Sequence, residues 1–269
     1  MTFFEAIILG IVQGITEFLP ISSSGHLILM RDLLGMQTEG GLAFDAVLQL
    51  ATTFAVILYF SQDLWVILQT ALRKLGRLPV NAKELTLLYA LLIGTVPAVI
   101  LGVLLESYME TVFRSPLVVA GTMVLGSLLF IYAEWVYYSS VPQNILTVRK
   151  GLQIGFFQCL ALIPGVSRSG ASIAGGMLLG LSRAEAARFS FLLAIPILLG
   201  SGGKKLMELI SSDEVVAWLP VGVGSVVAFI TGMAAIHFLL GFIRTHSLWP
   251  FIWYRLLLAA FVAYVYLVA

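Results

Sequence analysis

The chain has 269 residues, of which 60% are hydrophobic and 11% are charged, and its mean hydropathy is +1.02. This composition leaves too few polar residues to cover a water-soluble globule of this length, so it indicates a protein surrounded by lipid. The formal net charge of +1 gives no basic field for nucleic acid, and the single cysteine, Cys159, excludes an intramolecular disulfide and a multi-cysteine metal site.

The first predicted element is a broken apolar segment at residues 10–35. It consists of an apolar helix, Pro20, a turn rich in serine and glycine, and a second short apolar helix. The segment is too interrupted for a simple span and too apolar for a surface loop, so we predict a re-entrant helical hairpin. Three predicted spans follow it, at residues 44–60, 85–105 and 117–138.

A second broken segment at residues 155–180 has the same order, with Pro164 at the break. Three more spans follow, near 189–201 with its flanks, 219–242 and 248–269. The alternative to a repeat is coincidence among common membrane residues, but shared polar residues are costly in lipid and carry more information than matching leucines. An ungapped shift of 145 positions aligns Gly10 with Gly155, Gln13 with Gln158, Ser22 with Ser167, Ser24 with Ser169, Gly25 with Gly170, and Leu33-Leu34-Gly35 with Leu178-Leu179-Gly180.

These elements predict a single all-α integral membrane domain over residues 1–269, with internal repeats at approximately 1–140 and 146–269. Each half is expected to be a re-entrant helical hairpin plus three transmembrane helices. A hairpin returns to its own side and three spans then cross, so the second repeat begins on the opposite side and the repeats are inverted. The tips of the two hairpins can then meet inside the bundle.

The basic residues predict the orientation, because cytoplasmic loops carry an excess of Lys and Arg. Both chain termini are then extracytoplasmic, and the first hairpin enters from outside. The opposite, extracytoplasmic side has only Arg31, Arg114, Lys204 and Lys205. The side expected to be cytoplasmic holds Arg73, Lys74, Arg77, Lys83, Arg149, Lys150, Arg183, Arg188 and Arg244.

The first broken segment places a carboxylate inside the predicted bundle. Glu17 lies four residues after Gln13 and shares its helix face. An ionised Glu in a span costs about 2.5 to 3.5 kcal/mol on insertion scales, so Glu17 needs a cation or a proton. The alternative is that Glu17 reaches a wet rim.

A polar run follows Glu17: Ser22, Ser23, Ser24, Gly25 and His26. Hydroxyls and flexible backbone directly before a short helix form a natural anion site. Among such neighbours His26 is predicted to be an acid, a base or a nucleophile. His237 has no polar neighbours in the sequence and is predicted to be a packing residue.

The second broken segment repeats the serine pattern but places Arg168 where the first has Ser23. Arginine is permanently charged and bidentate, so it suits phosphate oxygens. The alternative is that Arg168 pairs with a structural carboxylate such as Glu134. Its neighbours with hydroxyls or flexible backbone are Ser167, Ser169, Gly170 and Ser172. Together the two segments indicate phosphoryl transfer.

Two motifs carry a resemblance to a known family. The first runs from Gln13-Gly-Ile-Thr-Glu17 through Phe-Leu-Pro-Ile-Ser-Ser-Ser-Gly to His26, and the second is Pro164-Gly-Val-Ser-Arg-Ser169. Both motifs, with the length and the span pattern, resemble the undecaprenyl pyrophosphate phosphatases of bacterial cell-wall lipid recycling over essentially the whole chain. Gln13 departs from the Glu that many members have, and Ser172 departs from the usual Thr.

The resemblance implies that undecaprenyl pyrophosphate is dephosphorylated to the monophosphate carrier lipid of peptidoglycan synthesis. It implies a multi-pass protein of the bacterial plasma membrane, a site open to the extracytoplasmic side, and bacitracin resistance on overproduction. The implied catalytic set is Glu17, Ser23, His26 and Arg168. The expected substrate-binding residues are Gln13, Ser22, Ser24, Gly25, Gly165, Ser167, Ser169, Gly170 and Ser172.

Several points stay open at this stage. Ser23 or His26 is the nucleophile, and we favour Ser23 with His26 as its base. Glu17 then orients His26 or holds a divalent cation, Mg2+ or Ca2+. The alternative function is an inverted-repeat transporter or lipid flippase without hydrolysis, which needs anion donors but no nucleophile beside a base. Gly176 and Gly180 can pack helices within one chain or in a homodimer.

Overall fold

The fold is described from a computed structural model, which describes residues 2–33, 35, 41–111, 115–211 and 217–268. Four residues used in the repeat, orientation and terminus predictions lie outside the described residues: Met1, Leu34, Arg114 and Ala269. Throughout the described ranges the regular structure is helical, without strands, so the all-α prediction is confirmed.

The described residues form eleven α-helices, and a short 3-10 helix, Leu160–Leu162, follows the seventh. Their bounds are α1 Phe3–Phe18, α2 Ser23–Leu33, α3 Gly41–Tyr59, α4 Ser61–Leu75, α5 Ala82–Thr111, α6 Pro116–Ser139, α7 Val148–Cys159, α8 Arg168–Leu178, α9 Arg183–Ser211, α10 Trp218–Phe242 and α11 Trp249–Leu267.

Five helices of the described chain, α5, α6, α9, α10 and α11, are long and apolar enough to cross a membrane. The predicted span at 44–60 corresponds to α3, which passes the same test only together with α4, after a bend of 77°. The prediction of a multi-spanning membrane protein is confirmed. Helix α4 was missed because Asp63, Arg73 and Lys74 keep its hydropathy low.

Both predicted broken segments are helix–turn–helix units, α1–α2 and α7–α8. In each, the residue before the proline is extended: Leu19 has φ −65° and ψ 142°, and Ile163 has φ −85° and ψ 116°. The ring of a proline disfavours helical backbone at the preceding residue, so Pro20 and Pro164 account for the position of both breaks.

The first helix of each broken segment packs against a long helix from the other half of the chain. Helix α1 lies on α10, where a Cβ on Gly10 would be 2.5 Å from the carbonyl oxygen of Gly224. Helix α7 lies on α5 in the same way, with Gly155 directly against Gly94. These glycines let the helix backbones approach closely. Gly176 likewise packs within the chain, against Ala186 of α9.

Candidate active site

The two turns that precede α2 and α8 have the same local structure. Ser22 has φ +77° and Ser167 has φ +79°, a region that residues with a side chain rarely adopt. The Ser22 hydroxyl accepts a hydrogen bond from the Gly25 N–H at 3.3 Å, and the Ser167 hydroxyl accepts one from the Gly170 N–H at 3.2 Å. Each serine therefore caps the first turn of its helix.

The two turns are in direct contact. The Gly165 N–H donates to the Ser22 hydroxyl at 3.2 Å, and the Ser169 hydroxyl donates to the Leu19 carbonyl at 3.1 Å. Gly165 has φ +95°, and a Cβ there would be 2.7 Å from the Val119 carbonyl. The contacts between the two turns thus bring α1, α2 and α8 together at one point.

Glu17 lies at this meeting point and is only 4% exposed. Its Oε2 accepts from Gln13 Nε2 at 2.9 Å and from the Ser23 hydroxyl at 2.7 Å, while its Oε1 accepts from Arg168 Nη2 at 3.0 Å. The alternative that Glu17 reaches a wet rim is wrong, because the carboxylate is buried and its charge is balanced by Arg168.

Arg168 has unused hydrogen-bonding capacity. One of its nitrogens, Nη2, donates to Glu17, while Nε and Nη1 are buried without a hydrogen-bond partner. Glu134, the alternative partner, instead accepts from Arg183 Nε at 2.9 Å. Buried donors of a charged group are costly to leave unpaired. The two free donors of Arg168 therefore mark a place for the oxygens of an anion.

The contacts of Ser23 and His26 differ from the expected pairing. The Ser23 hydroxyl donates to Glu17 and not to His26, so without substrate the serine is not bonded to the base that was predicted for it. His26 is oriented by the Ser22 carbonyl, 2.7 Å from Nδ1, and not by Glu17. Its Nε2 lies 2.7 Å from the Tyr254 hydroxyl. The serine and the histidine thus belong to separate hydrogen-bonded pairs.

The remaining predicted site residues surround this centre. Gly25 and Gly170 are positions of close approach: a Cβ on Gly25 would lie 2.9 Å from the Met123 Cε, and a Cβ on Gly170 would overlap the Phe130 ring. Ser24 is exposed, and its hydroxyl lies 3.4 Å from that of Ser22. Ser169 and Ser172 are fully buried, and their hydroxyls bond within the protein.

Arg255 of α11 is a functional candidate that the sequence reasoning missed. It is fully buried, with Nη2 donating to the carbonyls of Met123 and Gly165, both at 3.0 Å, and Nη1 donating to the Pro20 carbonyl at 3.4 Å. Arg255 therefore connects both turns to α6. A charged residue near the middle of the predicted span 248–269 was the signal that could have identified it.

Comparison with known proteins decides the family. The family described as Bacitracin resistance protein BacA matches residues 6–261. The chain belongs to this family. Among its curated relatives, each called undecaprenyl-diphosphatase, are proteins of Kineococcus radiotolerans (45% identical over 266 residues, 98% of this chain and 94% of the relative) and Nitrosococcus oceani (42% over 266 residues, 99% and 100%). Another is from Alteromonas mediterranea (41% over 260 residues, 97% of each).

A metal ion held by Glu17 was predicted for this BacA family member, but the residues present do not fit one. Both oxygens of Glu17 already accept from donors, and one of these donors is the cationic Arg168. In the part of the chain that the structure describes, no three His, Cys, Asp or Glu side chains are grouped as metal ligands. Divalent cations need several free oxygen ligands, which Glu17 does not offer here.

His237 lies outside this site. It was predicted to be a packing residue because its neighbours in the sequence are apolar, and in the structure the Tyr59 hydroxyl lies 3.2 Å from its Nδ1. Its side chain is exposed on α10, and its hydrogen bond and ring contact are with Tyr59 of α3 and not with the residues around Glu17.

Proposed function

We propose that the chain hydrolyses undecaprenyl pyrophosphate to undecaprenyl phosphate and inorganic phosphate. The observation that carries the proposal is one carboxylate, Glu17, that accepts from both a serine hydroxyl and an arginine with two free donors. Such a pair combines a nucleophile with an anion clamp. The names of the curated relatives support the same reaction and do not favour the transporter alternative.

The contacts support a specific order of events. Arg168 Nε and Nη1 bind oxygens of the terminal phosphate and stabilise the charge that develops on them. The Ser23 oxygen attacks that phosphorus, its proton passes to Glu17 Oε2, and the bond to the bridging oxygen breaks, which releases undecaprenyl phosphate. Water then hydrolyses the phosphoserine, releases inorganic phosphate and restores the Ser23 hydroxyl.

Ser23 is the preferred nucleophile in this scheme, since its hydroxyl is bonded to a carboxylate that can take its proton. His26 lies one helical turn after Ser23, and its Nδ1 is bonded to the Ser22 carbonyl. In the second step its Nε2 takes a proton from the attacking water, once that water displaces the Tyr254 hydroxyl that lies 2.7 Å from this nitrogen in the resting site. The roles of Ser23 and His26 are therefore distinct.

We further propose that the two halves are inverted repeats, each with a re-entrant hairpin. Two observations support this arrangement: the matched conformations of Ser22 and Ser167, and the reciprocal packing of α1 on α10 and α7 on α5. Helix breaks at membrane depth require irregular backbone to be buried in protein, and both turns are largely buried.

The proposed location is the bacterial plasma membrane, with the site open to the extracytoplasmic side and both termini on that side. The distribution of Lys and Arg along the sequence supports this orientation. Tags fused to either terminus should be reached by an impermeant protease added to intact spheroplasts. A cytoplasmic tag at either end would overturn the orientation. A homodimer stays a prediction.

Phosphate release from undecaprenyl pyrophosphate by the purified protein in detergent tests the proposed function. We expect wild-type turnover and its loss in Ser23→Ala and Arg168→Ala. Matched controls are Ser139→Ala, whose hydroxyl bonds the Trp135 carbonyl of its own helix, and Arg244→Ala, which is exposed. Tight lipid binding by the wild type without phosphate release would overturn hydrolysis and favour a carrier.

A further inference from the structure

We propose that Tyr254 is a positioning residue that acts through His26, an inference that rests on the proposed phosphatase function. Tyr254 lies on α11, far in sequence from the two motifs that carry the family resemblance. Its hydroxyl is 2.7 Å from His26 Nε2, and the two rings stack with centroids 5.6 Å apart and planes inclined by 7°. The tyrosine hydroxyl thus contacts Nε2, and the plane of its ring is nearly parallel to that of the imidazole.

The other ring nitrogen defines the direction of this hydrogen bond. His26 Nδ1 lies 2.7 Å from the Ser22 carbonyl oxygen, which can only accept, so Nδ1 carries a proton. In the neutral ring Nε2 is then the acceptor, and the Tyr254 hydroxyl donates to it. Tyr254 and Ser22 together select one tautomer and hold the plane of the ring.

The position of Tyr254 is itself fixed by its neighbour in the chain. Arg255 donates to the carbonyls of Pro20 and Gly165, one in each turn, and its guanidinium lies over the Phe130 ring at 4.9 Å. Tyr254 and Arg255 are consecutive on one helix. The hydrogen bonds from Arg255 to the two turns therefore also fix the distance from the Tyr254 hydroxyl to His26. Helix α11 therefore supports the site in addition to the two turns.

The exposed fractions of the two side chains show which of them lies nearer the surface. His26 is 8% exposed, whereas Tyr254 is 43% exposed, so the tyrosine lies on the outer side of the buried imidazole. A tyrosine used only for its ring would be replaceable by phenylalanine without loss. Tyr264 lies on the same helix and is 61% exposed. It serves as the control, because its hydroxyl is not bonded to His26.

Steady-state kinetics of Tyr254→Phe provide the first test, since this change removes the hydroxyl and keeps the stacked ring. We expect kcat to fall about tenfold or more with KM within about twofold, because the hydroxyl orients a reacting group and does not hold the lipid. Tyr264→Phe should match the wild type. His26→Ala and the double variant His26→Ala/Tyr254→Phe should have equal residual rates, as expected if Tyr254 acts only through His26.

Nitrogen-15 NMR of the imidazole provides a readout that does not depend on turnover. In a His237→Gln/His246→Gln background, His26 is the one remaining histidine. We expect a neutral ring with the proton on Nδ1, and a shift of the Nε2 resonance when Tyr254→Phe is added. An unchanged Nε2 resonance, or an unchanged kcat in Tyr254→Phe of an active enzyme, would overturn the inference. Absence of phosphate release from the wild type would instead overturn the proposed function.

Discussion

Ser22 and Ser167 are 145 positions apart and have nearly the same positive φ, 77° and 79°. Each of them places its hydroxyl over the first turn of a short helix, and Ser22 additionally accepts from the Gly165 N–H of the other turn. Backbone in this region costs about 1 to 3 kcal/mol for a residue with a side chain, so the surrounding hydrogen bonds must maintain it.

This relationship predicts an unusual order of stability. Ser22→Ala removes the cap and keeps the strain, whereas Ser22→Gly removes the cap but relieves the strain. We expect the glycine variant to be more stable than the alanine variant by about 1 kcal/mol, measured by thermal unfolding in detergent. The same order is expected at Ser167. At Ser201, an exposed residue in the interior of α9, the glycine variant should be less stable than the alanine variant.

The variant Gln13→Glu tests whether Glu17 can hold a divalent cation. The change would place a second carboxylate against Glu17, where Gln13 Nε2 now donates at 2.9 Å. Two carboxylates at this distance repel each other unless a proton or a cation lies between them. We therefore expect Mg2+ or Ca2+ to stimulate phosphate release at least about threefold more in Gln13→Glu than in the wild type, measured against EDTA-treated enzyme.

The result expected for the wild type follows from the contacts of Glu17. Without lipid, the protein should bind no stoichiometric Ca2+, because Arg168 and Ser23 already donate to its carboxylate. Isothermal titration of lipid-free wild type and Gln13→Glu measures this. Tight Ca2+ binding by the wild type would contradict our assignment of Glu17 as a carboxylate fully paired with protein donors.

Arg255→Met is expected to weaken both stability and turnover. The change leaves the carbonyls of Met123 and Gly165 without their shared donor inside the bundle. We expect a loss of about 2 to 5 kcal/mol in unfolding free energy and a rate reduced more than tenfold, since the two turns lose their connection to α11. Arg244→Met is the exposed control. Equal melting temperatures for the two variants would argue against a bridging role.

Gly10→Ala tests the close contact of α1 with α10. An added Cβ would lie 2.5 Å from the Gly224 carbonyl oxygen, so the helices must separate. We expect a loss of about 1 to 3 kcal/mol, because overpacking a close helix contact strains both partners. At Gly222 of α10 nothing lies within 4 Å of an added Cβ, so Gly222→Ala should be neutral or slightly stabilising. Thermal unfolding of the two variants side by side measures the difference.

The helices and the two breaks were predictable because their causes are local. Runs of apolar residues define the spans, and Pro20 and Pro164 act on the residues directly before them. Helix α4 was not predictable from runs of apolar residues, because it contains too many polar residues to be recognised as a span. Its existence depends on the bend after α3, which hydropathy does not report.

The sequence indicated which residues form the candidate site, but it did not indicate which of them are hydrogen-bonded to each other. The sequence placed Glu17, Ser23, His26 and Arg168 in one site, yet it could not show which of them donates to which. That depends on the directions of side chains from α1, α2 and α8 after packing. Arg255 and Tyr254 were missed because they lie on α11, far in the sequence from the residues that they contact. Contacts between such distant residues do not form a short sequence motif.

The reciprocal packing of α1 on α10 also orders the assembly of the protein during synthesis. Helix α1 leaves the ribosome before α10, the helix that its Gly10 contacts. Until α10 and α11 are inserted, α1 lacks its packing partner and the turns lack Arg255. A chain in which α10 and α11 are not yet inserted therefore has no assembled site, and it acquires the site only after these two helices have packed.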